Sequence, residues 1–246
     1  MVDVSDLVEF QRHLDGAHHI AITSHRSPDA DAVGTSLALA CYLRSTGKEV
    51  TCLLPDAPDE ALDWMEGVED ILIFDRDPGK AQETLHRADV LFALDYNGLK
   101  RLGPMKDAAE SATGTWLMVD HHMGPEDFPT AKVHDARCSS TAELLWGVIA
   151  GLGGKEVVDA TMAGLLYAGM MTDTGSFRFN SVSAETHRVV AAMMDQGLNH
   201  TTVHEAIFGE QPMDRMQLHA FAVVERMEVY PEFQTAFVHL LSLIHI

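Results

Sequence analysis

Five short apolar runs punctuate the first half of the chain: HIAIT (19–23), EVTCLL (49–54), DILIF (70–74), DVLFALD (89–95) and TWLMVD (115–120). Each is continuous rather than alternating, as expected of strands covered on both faces. Between them lie segments that suit helices: AVGTSLALACYLRSTG (32–47), DEALDWM (59–65), KAQETLHR (80–87) and MKDAAES (105–111). Alternating strands and helices predict a parallel sheet with crossover helices flanking it, an α/β fold. From about residue 139 the pattern becomes helical. SSTAELLWGVIAGLG (139–153) opens with a capping signal, Ser140 followed three residues later by Glu143. EVVDATMAGLLYAGMMTD (156–173), SAETHRVVAAMMDQG (183–197), TTVHEAIFG (201–209) and MDRMQLHAFAVVERM (213–227) continue it. MEVYPEFQTAFVHLLSLIHI (227–246) reads as two strands opening a new sheet, and the chain stops in mid-pattern on the apolar LLSLIHI. The expected organisation is a first domain over 1–210, alternating to about 138 and helical over 139–210. A linker helix over 211–226 follows, and then the start of a second, truncated α/β domain over 227–246.

The chain has 246 residues, 46% of them apolar, enough for a sizeable core. Its formal net charge of -20 repels nucleic-acid backbones at long range, which argues against long duplex partners. A small nucleotide is still compatible, because bound divalent ions reverse the sign locally. Three scattered cysteines without a CxxC fit a reducing compartment. No signal peptide is expected at the acidic N-terminus, and no run is long and apolar enough to span a membrane, so the cytoplasm is the expected location.

Ligands of open α/β sheets sit beyond the carboxyl ends of the strands. Three predicted strands end there in ionisable groups: HRSPDADAVG (25–34) after the first, Asp95 at the end of the fourth, and Asp120-His121-His122 at the end of the fifth. Asp173 ends a helix and opens TDTGSFRFN. Each has an ordinary reading by itself. Pro28 presets a turn, Asp95 caps Tyr96-Asn97-Gly98, His121-His122 is a polar loop, and Asp173 caps the turn after it. Together they place several carboxylates and imidazoles in one region, where unpaired carboxylates repel and titrate upward. Divalent metal relieves that repulsion. Oxygen and nitrogen donors without cysteine favour Mn²⁺, with Mg²⁺, Fe²⁺ or Co²⁺ compatible, over a closed structural zinc site. So many donors suit two ions sharing an aspartate, an arrangement that serves in-line phosphoryl displacement.

HRSPDADAVGTSLAL (25–39), ALDYN (93–97), VDHHMG (119–124) and AGMMTDTGSFRFN (168–180), with SSTAELL (139–145) between, resemble the motifs of the DHH phosphoesterase superfamily in its own order. DTGSFRF is most similar to the bifunctional oligoribonuclease and 3′-phosphoadenosine-5′-phosphate phosphatase group. The resemblance implies one ion held by His25, Asp29 and Asp95, and another held by Asp31, Asp95, His121 and Asp173, with Asp95 as the bridge. Asp120 would orient an imidazole, and His122 would face the substrate phosphate and protonate the leaving oxygen. Asp31, Asp95, Asp120 and His122 are thus the expected catalytic group, with Arg178 and Phe177 as further substrate contacts. Gly34 would let the helix after the first strand approach a neighbour closely. The implied substrates are short oligoribonucleotides, 3′-phosphoadenosine 5′-phosphate or dinucleotides.

Superfamily members carry a C-terminal domain with a glycine-rich GGGH-type motif that grips substrate, and such a motif does not occur here. Metal binding with weak, poorly selective turnover is therefore expected. Family members are often dimeric, so a homodimer is compatible, although no interface signature stands out. Two alternatives stay open: an inorganic pyrophosphatase or polyphosphatase using a similar donor set, and a non-catalytic nucleotide-binding module.

Overall fold

A computed structural model describes residues 4–209 and 213–240 of the chain. It divides into two compact units, Met1–His204 and Glu205–Ile246.

The first unit is built on a six-stranded, all-parallel sheet. In chain order its elements are α1 (Val4–Asp15), β1 (His19–Thr23), α2 (Ala30–Ser45), β2 (Glu49–Leu54), β3 (Leu72–Ile73), α3 (Pro78–Arg87), β4 (Val90–Leu94), α4 (Lys106–Glu110), β5 (Thr115–Asp120), β6 (Ala131–His134), α5 (Thr141–Gly151), α6 (Ala160–Asp173) and α7 (Ala184–Asp195). α8 (His200–Phe208) follows them. Strands lie in the order β3-β2-β1-β4-β5-β6. That is the order of doubly wound nucleotide-binding sheets, whose ligand crevice opens where the order reverses, between β1 and β4. Register fixes the crevice: Thr23 pairs with Ala93, and Leu94 with Val119, so the loops after β1, β4 and β5 emerge side by side.

Both faces of the sheet's central strands are covered, which is why those strands are largely apolar. On one face Leu91, Ala93, Trp116 and Met118 pack with Ala81 and Leu85 of α3 and Ala108 and Ala109 of α4. On the other, Phe92 meets Phe10 of α1 edge-on, ring centroids 6.0 Å apart, and α2 and α5 pack against the sheet. α2 is apolar nearly all round because α6 and α5 cover the side that the sheet does not. Its crossing with α6 is tight: a Cβ on Gly34 would overlap the backbone carbonyl of Leu165, so Gly34 does permit a close helix approach.

Three strands, HIAIT, EVTCLL and TWLMVD, fall on their expected bounds. DILIF contracts to Leu72–Ile73, because Gly67 at φ +88° turns the chain and residues 68–70 wind into a 3-10 turn. DEALDWM is also only a 3-10 turn, Glu60–Leu62, with little beyond Leu62 and Met65 to bury. Helix α1 and strand β6 were not expected. The acidic N-terminus hides a helix that buries Phe10 and Leu14, and AKVH is a short edge strand, half of it polar.

The second unit contains α9 (Met213–Glu225) and an antiparallel hairpin of β7 (Met227–Tyr230) and β8 (Thr235–Val238). The expected pair of strands is present. Residues 211–212 of the expected linker and most of LLSLIHI, 241–246, lie outside the described residues. Among the described residues no helix is long and apolar enough to cross a membrane.

Candidate metal centre

The loop after β1 begins with Ser24, whose hydroxyl donates to the Leu94 carbonyl at 2.7 Å and ties β1 to β4 at the crevice. His25 follows, its side chain almost wholly buried. Its Nδ1 lies 2.8 Å from the Arg26 carbonyl. A carbonyl only accepts, so Nδ1 carries the hydrogen and Nε2 is left facing the carboxylates. Nε2 lies 3.4 Å from Asp95 Oδ2 and 3.9 Å from Asp29 Oδ2. Asp29 divides its oxygens. Oδ1 caps α2 by accepting from the N–H groups of Asp31 and Ala32, each at 3.0 Å, and Oδ2 turns to His25.

Asp31, in the first turn of α2, is fully buried. Its carboxylate meets the N-terminus of α5, accepting from Thr141 N–H at 2.7 Å and Ala142 N–H at 2.9 Å. Asp95 follows β4 with φ +63°, a strained conformation for a residue with a Cβ. Its two oxygens face opposite ways. Oδ2 approaches His25, while Oδ1 accepts from Thr141 Oγ1 at 2.8 Å and lies 3.5 Å from His121 Nε2. His121 Nε2 is also 3.3 Å from Asp173 Oδ2, and its Nδ1 sits 3.4 Å from the Cys138 carbonyl. His121 is thereby oriented as His25 is, Nδ1 toward a backbone oxygen and Nε2 toward carboxylates.

Ser27, Ser176 and Phe177 join Asp95 at positive φ, so four of the five such non-glycine residues among those described lie in the loops of this site. Strain held this way, in loops that carry converging polar groups, marks a functional site.

Donor atoms converge in three groups, each within 4.8 Å: His25, Asp29 and Asp95; Asp31, His121 and Asp173; and Asp95, His121 and His122. The first is the expected ligand set of one ion. The second, with Asp95 adjoining it through His121, is the expected set of the other. Among the described residues the ion-pair partners of Asp29, Asp95 and Asp173 are imidazoles, with no lysine or arginine among them. Asp31 and Asp173 show the effect of this crowding. Burial, then the charges of Asp95, Asp173 and Asp29, push the Asp31 carboxyl well above the ordinary range, despite the Thr141 N–H. Burial also raises Asp173; the His121 hydrogen bond opposes it, and the charges of Asp95 and Asp29 add to it. For His121, burial disfavours the charged ring, but Asp173 and Asp95 outweigh it and push it up to about 8. His25 is raised in the same way, burial being outweighed chiefly by Asp95. Crowded carboxylates, imidazoles with Nε2 turned inward and hard donors without sulfur fit divalent cations.

Asp120 is buried and accepts from His122 Nδ1 at 2.8 Å through Oδ1, while Oδ2 has no hydrogen-bond partner. His134, on β6, lies 3.9 Å from that oxygen and donates from Nε2 to the His122 carbonyl at 2.6 Å. The bond sets Asp120 against the His122 ring, and His134 joins them from β6. On the loop after α6, Phe177 is half-buried against Tyr167 and His187, Arg178 donates from Nε to the Gly175 carbonyl, and Phe179 is exposed. Thr141 follows the capping Ser140 as the first residue of α5. Its N–H and that of Ala142 are occupied by Asp31, which takes the place an anion would have at that helix end.

Residues 19–170 match the DHH family, N-terminal domain. A bifunctional oligoribonuclease and PAP phosphatase, NrnA, of Thermus thermophilus is 30% identical over 192 residues, 78% of this chain and 54% of that protein. The crystal structure of an exopolyphosphatase-related protein from Bacteroides fragilis superposes with a TM-score of 0.95 at 33% identity, covering 98% of this chain and 70% of that one. Exonuclease RecJ bound to manganese shares the fold with a TM-score of 0.52 at 16% identity, covering 85% of this chain and 55% of that one. The chain spans 60% or less of the length of the curated bacterial relatives it matches.

Proposed function

The chain belongs to the DHH family, and from that premise we propose that it is a two-metal phosphoesterase acting on small nucleotide substrates. The observation that carries the reading is the division of Asp95, whose Oδ2 faces His25 and whose Oδ1 faces His121. One carboxylate thus adjoins two donor groups. His25, Asp29 and Asp95 would hold one ion, and Asp31, Asp95, His121 and Asp173 the other. Mn²⁺ suits the mixed donors, with Mg²⁺ or Co²⁺ compatible, and the likeness to a manganese-bound exonuclease supports it. When bound, the ions supply Lewis-acid polarisation of the phosphoryl group and acidify the attacking water.

The protein's own groups do the rest. Asp120 accepts from His122 Nδ1, which leaves Nε2 to carry the proton that the leaving oxygen requires. Arg178 and Phe177, on the loop after α6, contribute contacts to phosphate and base, and the exposed ring of Phe179 offers a stacking face. The 30% identity to an oligoribonuclease and PAP phosphatase supports short oligoribonucleotides or 3′-phosphoadenosine 5′-phosphate as the substrate class. The likeness to an exopolyphosphatase-related protein favours a second reading, bare phosphoanhydride chains. Turnover of a dinucleotide, 3′-phosphoadenosine 5′-phosphate, pyrophosphate and polyphosphate with Mn²⁺ separates them. The first reading expects the two nucleotides to be hydrolysed preferentially, with loss in Asp95→Ala; preference for the phosphoanhydrides would replace it with the second.

A further inference from the structure

The segment Cys138–Ala142 bonds to three of the proposed metal donors while supplying none itself. Cys138 presents its carbonyl to His121 Nδ1, Thr141 and Ala142 give their N–H groups to Asp31, and Thr141 Oγ1 donates to Asp95. Those donors stand on three separate elements: the loop after β5, α2, and the end of β4. The segment is itself anchored from behind. Ser140 caps α5 through Glu143 N–H, and the buried Glu143 carboxylate accepts from the N–H and hydroxyl of Ser139 and from Thr186 Oγ1 of α7. The helix end that would otherwise attract an anion is filled by Asp31 and locked to α7.

We infer that Thr141 is a positioning residue for the metal centre, setting the orientation of the shared Asp95 through its hydroxyl, with Glu143 holding Thr141 in place. This rests on the two-metal reading above and adds a residue outside its donor set. The chemistry is that of a hydroxyl donating to a metal-binding carboxylate. The bond fixes the rotamer of Asp95, which already carries a strained backbone, and it consumes a lone pair on the His121 side only. Removing it frees the carboxylate to rotate between the two donor groups. Loss of such an outer hydrogen bond typically weakens metal affinity about 10–100-fold.

The test is Mn²⁺ titration by calorimetry on the chain and on Thr141→Val, Thr141→Ser and Glu143→Gln, with the metal-free melting temperature of each recorded. Thr141→Val keeps the shape and the N–H to Asp31 and removes the hydroxyl; Thr141→Ser restores it. The expected result is about 10–100-fold weaker Mn²⁺ binding in Thr141→Val, recovery in Thr141→Ser, and weakening in the same direction in Glu143→Gln. Unchanged affinity in Thr141→Val overturns the inference, as does equal weakening in Thr141→Val and Thr141→Ser, which would assign the effect to packing. If Thr141→Val does not fold, Thr141→Ala against Thr141→Ser decides by the same criteria. Failure of the unsubstituted chain to bind Mn²⁺ would sink the two-metal reading itself, an outcome distinct from selective failure of the variants.

Discussion

Metal binding at this centre must compete with protons, and the structure sets the pH range. His121 reaches about 8 in the metal-free protein because Asp173 and Asp95 hold its charged form against the penalty of burial. A metal requires the neutral ring at Nε2, so the bound state excludes that proton. Protonation therefore opposes binding below about 8 and has no effect well above it. With a pKa of about 8, the factor 1 + 10^(8 − pH) weakens apparent affinity about elevenfold near pH 7 and about a hundredfold near pH 6. Asp31 and Asp173 are raised as well, so their protonation steepens the loss at the acidic end. Calorimetric Mn²⁺ titrations between about pH 6 and pH 9, in two buffers of different ionisation enthalpy, read both the affinity and the protons released. From His121 alone, about fivefold loss between pH 8 and pH 7 and about ninefold between pH 7 and pH 6 is expected, with at least about one proton released near pH 7. Affinity that stays level from pH 6 to pH 8, or binding without proton release, would refute the electrostatic account of the cluster.

His122→Ala should separate chemistry from metal binding: Mn²⁺ affinity within about threefold of the unsubstituted chain, with kcat lowered by the roughly 10²–10⁴ typical of a lost general acid. Equal losses in both would make His122 a ligand. Gly34→Ala places a Cβ on the Leu165 carbonyl, which cannot rotate away. Overpacking of about 1–3 kcal/mol outweighs the helix-propensity gain of about 1 kcal/mol, so the metal-free melting temperature should fall by several degrees. An unchanged or higher value would show that α2 and α6 can move apart freely.

Much of this was legible in the sequence, for identifiable reasons. The central strands of an all-parallel sheet are covered on both faces, so HIAIT, EVTCLL, DVLFALD and TWLMVD stand out as apolar runs, and the donors follow the first, third and fourth of these at their carboxyl ends. Edge elements were harder to see. Only the Val133 face of β6 is buried, and DILIF keeps only two paired residues because a left-handed glycine precedes it. The polar groups that orient the donors were hidden for a different reason. Thr141 and Glu143 look like helix capping in any sequence, and only the fold brings α5 to Asp31 and Asp95. His134 likewise comes within reach of Asp120 and the His122 carbonyl only through the pairing of β5 with β6.

The account rests on Asp95 serving two ions at once. Mn²⁺ content by elemental analysis, after loading and removal of free metal, tests it most directly when the chain is compared with Asp95→Ala. The account predicts two Mn²⁺ per chain, falling to substoichiometric content when Asp95 is replaced. No stoichiometric metal in the unsubstituted chain, or two ions retained by Asp95→Ala, would contradict it.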